Sequence, residues 1–192
     1  MIHYPISAII GDLGSGKTLY LTYLATLYQK EGINIYANYH LKGIDYTYLE
    51  FKDLAQFPEH VKDGVLLMDE GHVDGDAYNF LRKGVRDMGK FITQMRKRRL
   101  MLFYSTQDFA SIFIRLRELT NYIMLIQPIN TKGLTKVTTY DKRGGLIMLT
   151  SRIYNLSSIF GKYDTEEIIG LPEQDEDDSD IDAIMEEDFI NE

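Results

Sequence analysis

The eight residues GDLGSGKT, 11–18, constrain this chain more than any other stretch in it. They fit the pattern G-x-x-x-x-G-K-[ST] in full. Before them stands a short apolar run, ISAII (6–10), which reads as a buried strand. After them comes a segment of helical periodicity, 17–31, with Leu21, Leu24 and Leu27–Tyr28 expected on its inner side and Gly32 as its stop. A strand, a glycine-rich turn and a helix in that order point successive backbone N–H groups inward at the start of the helix, where they wrap phosphate. The candidate nucleotide-binding residues are therefore Gly11, Asp12, Leu13, Gly14, Ser15, Gly16, Lys17, Thr18 and Leu19. Lys17 would reach the outer phosphates as a point charge, and the Thr18 hydroxyl would ligate Mg²⁺. ATP and Mg²⁺ are the expected cofactors.

The rest of the chain alternates strand and helix. INIYANY (33–39) is strand-like, YTYLEFKDLAQF (46–57) is expected to be helical and to end before Pro58, and GVLLMDE (64–70) has the look of a central parallel strand. Residues 78–98 read as a long helix, LMLFYSTQ (100–107) as a buried strand, SIFIRLREL (111–119) as a helix and NYIMLIQPI (121–129) as a strand. TKVTTYDKRGGLIML reads as a hairpin turning near Gly144–Gly145. Such alternation implies a mainly parallel sheet covered on both faces. A chain of 192 residues suits one domain with a proper core. It has no apolar run long enough for a membrane span, no signal-peptide pattern and no cysteine, so a soluble, cytoplasmic protein without disulfides or thiolate metal sites is expected.

The formal charge of -8 is unevenly spread. Residues 173–192 hold eleven acids and no Lys or Arg; without them, 18 acids face 21 bases, about +3 for residues 1–172. The expected organisation is an ATPase domain over 1–172 and an acidic, disordered tail over 173–192. Within the body, residues 82–117 contain ten Lys or Arg against Asp87 and Asp108. That asymmetry suggests a polyanionic partner.

Two further elements point to hydrolysis. Asp69, at the carboxyl end of an apolar strand, is where a ligand to Mg²⁺ or its water belongs behind a phosphate loop, and Glu70 would polarise the attacking water. Gln107, directly after the next buried strand, would sense the γ-phosphate and the catalytic carboxylate's water. HVDGD (72–76) reads as a solvated loop rather than a second metal site.

GDLGSGKT, LLMDEGH, STQ, the Arg of RLREL ten residues after Gln107, and FGKYDTEE together resemble the FtsK–HerA superfamily of DNA-pumping ATPases. The likeness runs from about residue 5 to residue 168. Within that superfamily it is strongest to the short zonular-occludens-toxin-like and viral genome-packaging ATPases of tailless archaeal and membrane-containing viruses. It implies a P-loop NTPase fold of the RecA- or ASCE-like kind: an α/β three-layer sandwich with a central mainly parallel sheet and a C-terminal β-hairpin. It also implies double-stranded DNA as partner and a homo-oligomeric ring, hexamer or pentamer, with nucleotide between subunits. A host-cytoplasmic or virion-associated place and a capsid component as partner follow from the same likeness.

On a helix over 82–97, Arg82, Lys83, Arg86, Lys90 and Lys97 fall within an arc of about 100°, and Leu81, Val85, Met88, Ile92 and Met95 within about 80° on the far side. That cationic face would suit sequence-independent contact with a phosphate backbone; it would equally suit a plain amphipathic surface helix. Arg96 and Arg117 are candidates for an arginine given to a neighbour's nucleotide, with ion pairing or DNA contact as the alternative. In the tail, Ile181, Ile184, Met185 and Phe189 stand at roughly helical spacing, fit for a partner or for the basic helix, unless the tail only solvates. The leading function is an ATP-driven DNA motor that packages a viral genome. A small nucleotide kinase and a nucleotide-switched assembly factor stay open beside it.

Overall fold

The computed structural model describes residues 4–49, 58–69, 88–129, 133–141 and 148–163. Among the described residues eight strands form one sheet in the order β3-β2-β4-β5-β1-β6-β7-β8. They are β1 (Ile6–Ile10), β2 (Asn34–Ala37), β3 (Thr47–Tyr48), β4 (Gly64–Met68), β5 (Leu100–Thr106), β6 (Tyr122–Pro128), β7 (Leu134–Asp141) and β8 (Met148–Asn155). The first six in spatial order run parallel, from β3 across to β6. The last three, β6, β7 and β8, form an antiparallel wing. The described helices are α1 (Lys17–Lys30), α2 (Met88–Lys97) and α3 (Ile114–Leu119).

All five residues of β4 are buried, as a central parallel strand covered on both faces requires. The sheet separates two apolar layers. One joins Ile6, Ala8, Leu66 and Met68 to Phe91, Ile92 and Met95 of α2 and Leu116 of α3. The other joins Ile9, Val65, Leu67 and Phe103 to Leu19, Leu21, Leu24 and Ala25 of α1, and to Leu156 and Ile159 beyond β8. A fully buried leucine such as Leu21 contributes about 1.5–3 kcal/mol through its removal from water.

The α/β sandwich, the mainly parallel sheet and the paired strands of the hairpin, Leu134–Asp141 against Met148–Asn155, agree with the sequence. Two local expectations do not hold. The segment expected to be helical from residue 46 opens instead as strand β3, Tyr36 and Ala37 of β2 facing Thr47 and Tyr48, and the Leu49 N–H donating to the Ala37 carbonyl at 2.9 Å. Tertiary pairing at the sheet edge overrides a weak local preference there. Leu27, expected on the inner side of α1, is 38% exposed, because the contact with the sheet runs through Leu21, Leu24 and Ala25. The hairpin's turn, the first half of the long helix, HVDGD and the acidic tail lie outside the described residues.

Candidate nucleotide site

Parallel pairing brings the carboxyl ends of β2, β4, β5 and β1 to one edge of the sheet, where open α/β folds bind ligands. The phosphate loop leaves β1 at that edge. Gly11 is there for closeness: a Cβ on it would stand 2.5 Å from Ser15 Oγ and 2.9 Å from the Ile126 carbonyl oxygen of β6. Gly16 is there for its backbone: it caps α1 at φ 93°, in the left-handed region that costs other residues about 1–2 kcal/mol. The loop closes on itself through the Ser15 N–H, which donates to the Asp12 carbonyl at 3.1 Å. Asp12, Leu13 and Gly14 are exposed at its tip, whereas Leu19 faces the core.

Lys17 is 9% exposed, and its ammonium donates to the Gly11 and Asp12 carbonyls, each at 2.9 Å. The amine thus spans the loop in which phosphates would lie. Ser15 Oγ is buried with no hydrogen-bond partner, an orphaned donor of the kind a phosphate oxygen would satisfy. Across the sheet edge, the Thr18 hydroxyl donates to Asp69 Oδ2 at 2.5 Å, and the Ser105 hydroxyl donates to Asp69 Oδ1. Asp69 is 2% exposed. Hydroxyl and carboxylate oxygens suit Mg²⁺, which binds one or two such groups and fills its shell with water and substrate phosphate. Among the described residues no cluster of three or more His, Cys, Asp or Glu could hold a metal ion.

Gln107 is exposed and stands one residue beyond the Ile10–Thr106 pair, beside the start of the phosphate loop. Asp108 then turns the chain, its carboxylate accepting from the Ala110 N–H at 2.9 Å. Tyr39 and Tyr163 lie near enough to Asp69 for its charge to raise their phenols, in addition to the larger effect of burial. Tyr163 is held there by an antiparallel bridge to Leu41.

The arginine candidates sit elsewhere. Arg96 and Lys97 are exposed in the last turn of α2, which feeds the amino end of β5. The seven residues of β5 put them roughly 20 Å from their own phosphate loop, out of reach of a nucleotide held there. Arg98, from the same basic run, donates to the Pro58 and Val61 carbonyls, and Arg99 pairs with Asp63. Arg117 is half-buried at the end of α3, where its charge opposes the burial that raises the Tyr104 phenol. Glu70, Arg82, Lys83 and Arg86 lie outside the described residues, as does the side chain of Lys90. Sequence reading missed Asn38 and Ser105, both buried beside Asp69. A polar Ser105 inside the apolar run LMLFYST was the one available signal.

No family model matches the chain. It is 33% identical over 140 residues to the uncharacterized protein ORF2 of Spiroplasma virus SpV1-C74, and 33% identical over 135 residues to its counterpart in Spiroplasma virus SpV1-R8A2 B. The matches take in 67% of this chain but only 41% and 39% of those proteins, so the chain spans about two fifths of the curated relatives it matches. Among solved structures it is similar to the N-terminal domain of zonular occludens toxin from Neisseria meningitidis, with a TM-score of 0.61 and 18% identity, over 85% of this chain and 100% of that one. It is also similar to the genome packaging NTPase B204 from Sulfolobus turreted icosahedral virus 2 in complex with AMPPCP. There the TM-score is 0.57 and the identity 15%, over 76% of this chain and 96% of that one. The resemblance to toxin-like and viral packaging ATPases thus holds at the level of fold, and the fold is that of the P-loop NTPases. Among the described residues no helix is long and apolar enough to cross a membrane.

Proposed function

We propose that this chain is a viral P-loop ATPase whose hydrolysis drives DNA movement during virion formation. One observation carries the catalytic half of this reading: the Thr18 hydroxyl and the buried Asp69 carboxylate, 51 residues apart in sequence, meet at 2.5 Å beside the phosphate loop. Thr18 and Asp69 would hold Mg²⁺, which when bound neutralises charge on the outer phosphates. The chain's own groups do the rest. The Lys17 ammonium exchanges the Gly11 and Asp12 carbonyls for phosphate oxygens, and the Ser15 hydroxyl gains the acceptor it lacks. Glu70, next to Asp69 in sequence, orients the attacking water, and Gln107 reports the state of the γ-phosphate to the strand edge. An arginine from a neighbouring subunit, Arg96 or Arg117, completes the site in a ring.

The DNA half rests on the basic 82–97 segment and on a fold shared with a genome packaging NTPase. It is tested by measuring ATP hydrolysis without DNA, with duplex DNA and with single-stranded DNA, alongside particle mass with ATP and Mg²⁺. Stimulation by duplex DNA and a ring-sized mass are expected. Hydrolysis indifferent to DNA would overturn the motor and leave the ATPase.

A second reading has its own support. The likeness to the toxin domain spans all of that domain, and the viral relatives run well beyond the matched region. A nucleotide-switched assembly factor fits those facts, and a single slow turnover without DNA stimulation would favour it. Phosphate transfer to a nucleoside monophosphate would favour a kinase.

A further inference from the structure

Asp69 stands one residue past β4, and both neighbouring strands reach over to hold it. On the β2 side the ladder ends at Ala37 and Leu67, and the Asn38 N–H donates to the Leu67 carbonyl at 3.3 Å. The Asn38 side chain then takes the place of a further strand residue. Its Oδ1 accepts from the Asp69 N–H at 2.7 Å and its Nδ2 donates to the Asp69 carbonyl at 3.1 Å. On the β5 side the ladder ends at Met68 and Tyr104, and the next residue, Ser105, donates its hydroxyl to Asp69 Oδ1. Asn38 is 3% exposed and Ser105 fully buried.

These contacts restrain different freedoms. An amide bonded to both the N–H and the C=O of one residue holds its main chain in place. A hydroxyl on one carboxylate oxygen fixes the rotation of the side chain. With Oδ1 taken by Ser105, Oδ2 is left aimed at Thr18. We infer that Asn38 and Ser105 are positioning residues for the acid at the metal site, an assignment that rests on the magnesium–nucleotide reading above. Asn38 anchors the Asp69 backbone beyond the end of the sheet, and Ser105 sets its carboxylate, so that metal enters a site that needs no rearrangement. A role confined to packing differs in a measurable way: it affects folding and leaves the Mg²⁺ requirement alone.

The test uses the full chain and a fluorescent, non-hydrolysable ATP analogue, titrated in EDTA and then at rising Mg²⁺, with thermal unfolding of each variant. In Ser105→Ala and Asn38→Leu the Mg²⁺ needed for half of the Mg²⁺-dependent tightening should rise about 10- to 100-fold, as for other groups that orient a metal ligand. Binding in EDTA should be unchanged, and Ser105→Thr, which keeps the hydroxyl, should behave as wild type. An unchanged Mg²⁺ half-point in cooperatively unfolding variants would overturn the inference. So would an equal loss of binding in EDTA. Where Asn38→Leu does not fold, the Ser105 pair decides. A wild-type chain that binds no nucleotide, or binds it without regard to Mg²⁺, would instead overturn the nucleotide reading and this inference with it.

Discussion

Replacing Gly11 with alanine tests whether the phosphate loop is set by close packing against β6. The new Cβ would stand 2.5 Å from Ser15 Oγ, 2.9 Å from the Ile126 carbonyl oxygen and 3.1 Å from Ser15 Cβ. Ordinary carbon contacts begin near about 3.5 Å. The Ser15 hydroxyl can rotate aside, but Ile126 O is main chain within the sheet, so the loop must retreat by roughly half an ångström. Overpacking of this kind costs about 1–3 kcal/mol. For a chain of 192 residues that lowers Tm by roughly 2 to 12 °C. Function should suffer more. Hydrogen bonds to a charged phosphate contribute about 1.5–3 kcal/mol each, so two displaced N–H groups would weaken ATP binding about 100-fold or more. Calorimetric titration with ATP and Mg²⁺, beside thermal unfolding, reads both effects. Gly16→Ala is the comparison: no atom lies nearer than 3.9 Å to its Cβ, and its stability loss comes only from the left-handed φ of 93°. A Gly11→Ala protein with wild-type Tm and wild-type ATP affinity would refute the packing argument.

Leu21→Ala removes a fully buried side chain between α1 and the sheet and should destabilise by about 2–5 kcal/mol in urea unfolding; a loss under about 1 kcal/mol would mean that the site collapses freely. Tyr104→Phe removes the buried hydrogen bond to Thr120 at 2.9 Å, while Thr120 keeps its donation to the Leu116 carbonyl. The expected loss is about 0.5–1.5 kcal/mol by the same assay, and a gain in stability would count against a satisfied network. Burial raises the phenols of Tyr20, Tyr39 and Tyr104 above the ordinary value of 10.0, so the folded chain keeps protons that the unfolded chain gives up. Stability should be intact below that value and fall as pH rises past it, at up to about 1.4 kcal/mol per unit for each phenol. Urea midpoints followed across the alkaline range check this, and a midpoint flat to high pH would contradict it.

The strand–loop–helix unit was legible because its glycines, lysine and threonine follow one another without a gap. The central strands were legible because VLLM and LMLFY are apolar on both faces. Strand β3 was not, because Thr47 and Tyr48 carry no turn signal and owe their conformation to β2 alone. Leu27 misled because helical spacing marks a face but not how wide the contact will be. Asn38 and Ser105 escaped for a different reason. Asn38 belongs to no motif, Ser105 stands in STQ but drew notice there only through its Gln, and each meets Asp69 only through the parallel register of β2 with β4 and of β4 with β5. Register is a property of the assembled sheet, and no local pattern encodes it.

The order in which the sheet is filled has a consequence for how the protein is made. β1, the first of these strands to be made, has as its neighbours β5 and β6: Ile6 faces Leu102, and Ser7 faces Tyr122. Synthesis runs from the N-terminus at about 5–20 residues per second, so this apolar strand waits several seconds for any partner. Until then, the phosphate loop has no β6 to press against and Thr18 has no properly held Asp69. On the nucleotide reading proposed above, capture is a late event, open only to chains that have closed the middle of the sheet. ATP would then stabilise chains that have been made as far as β6 and pass over shorter ones.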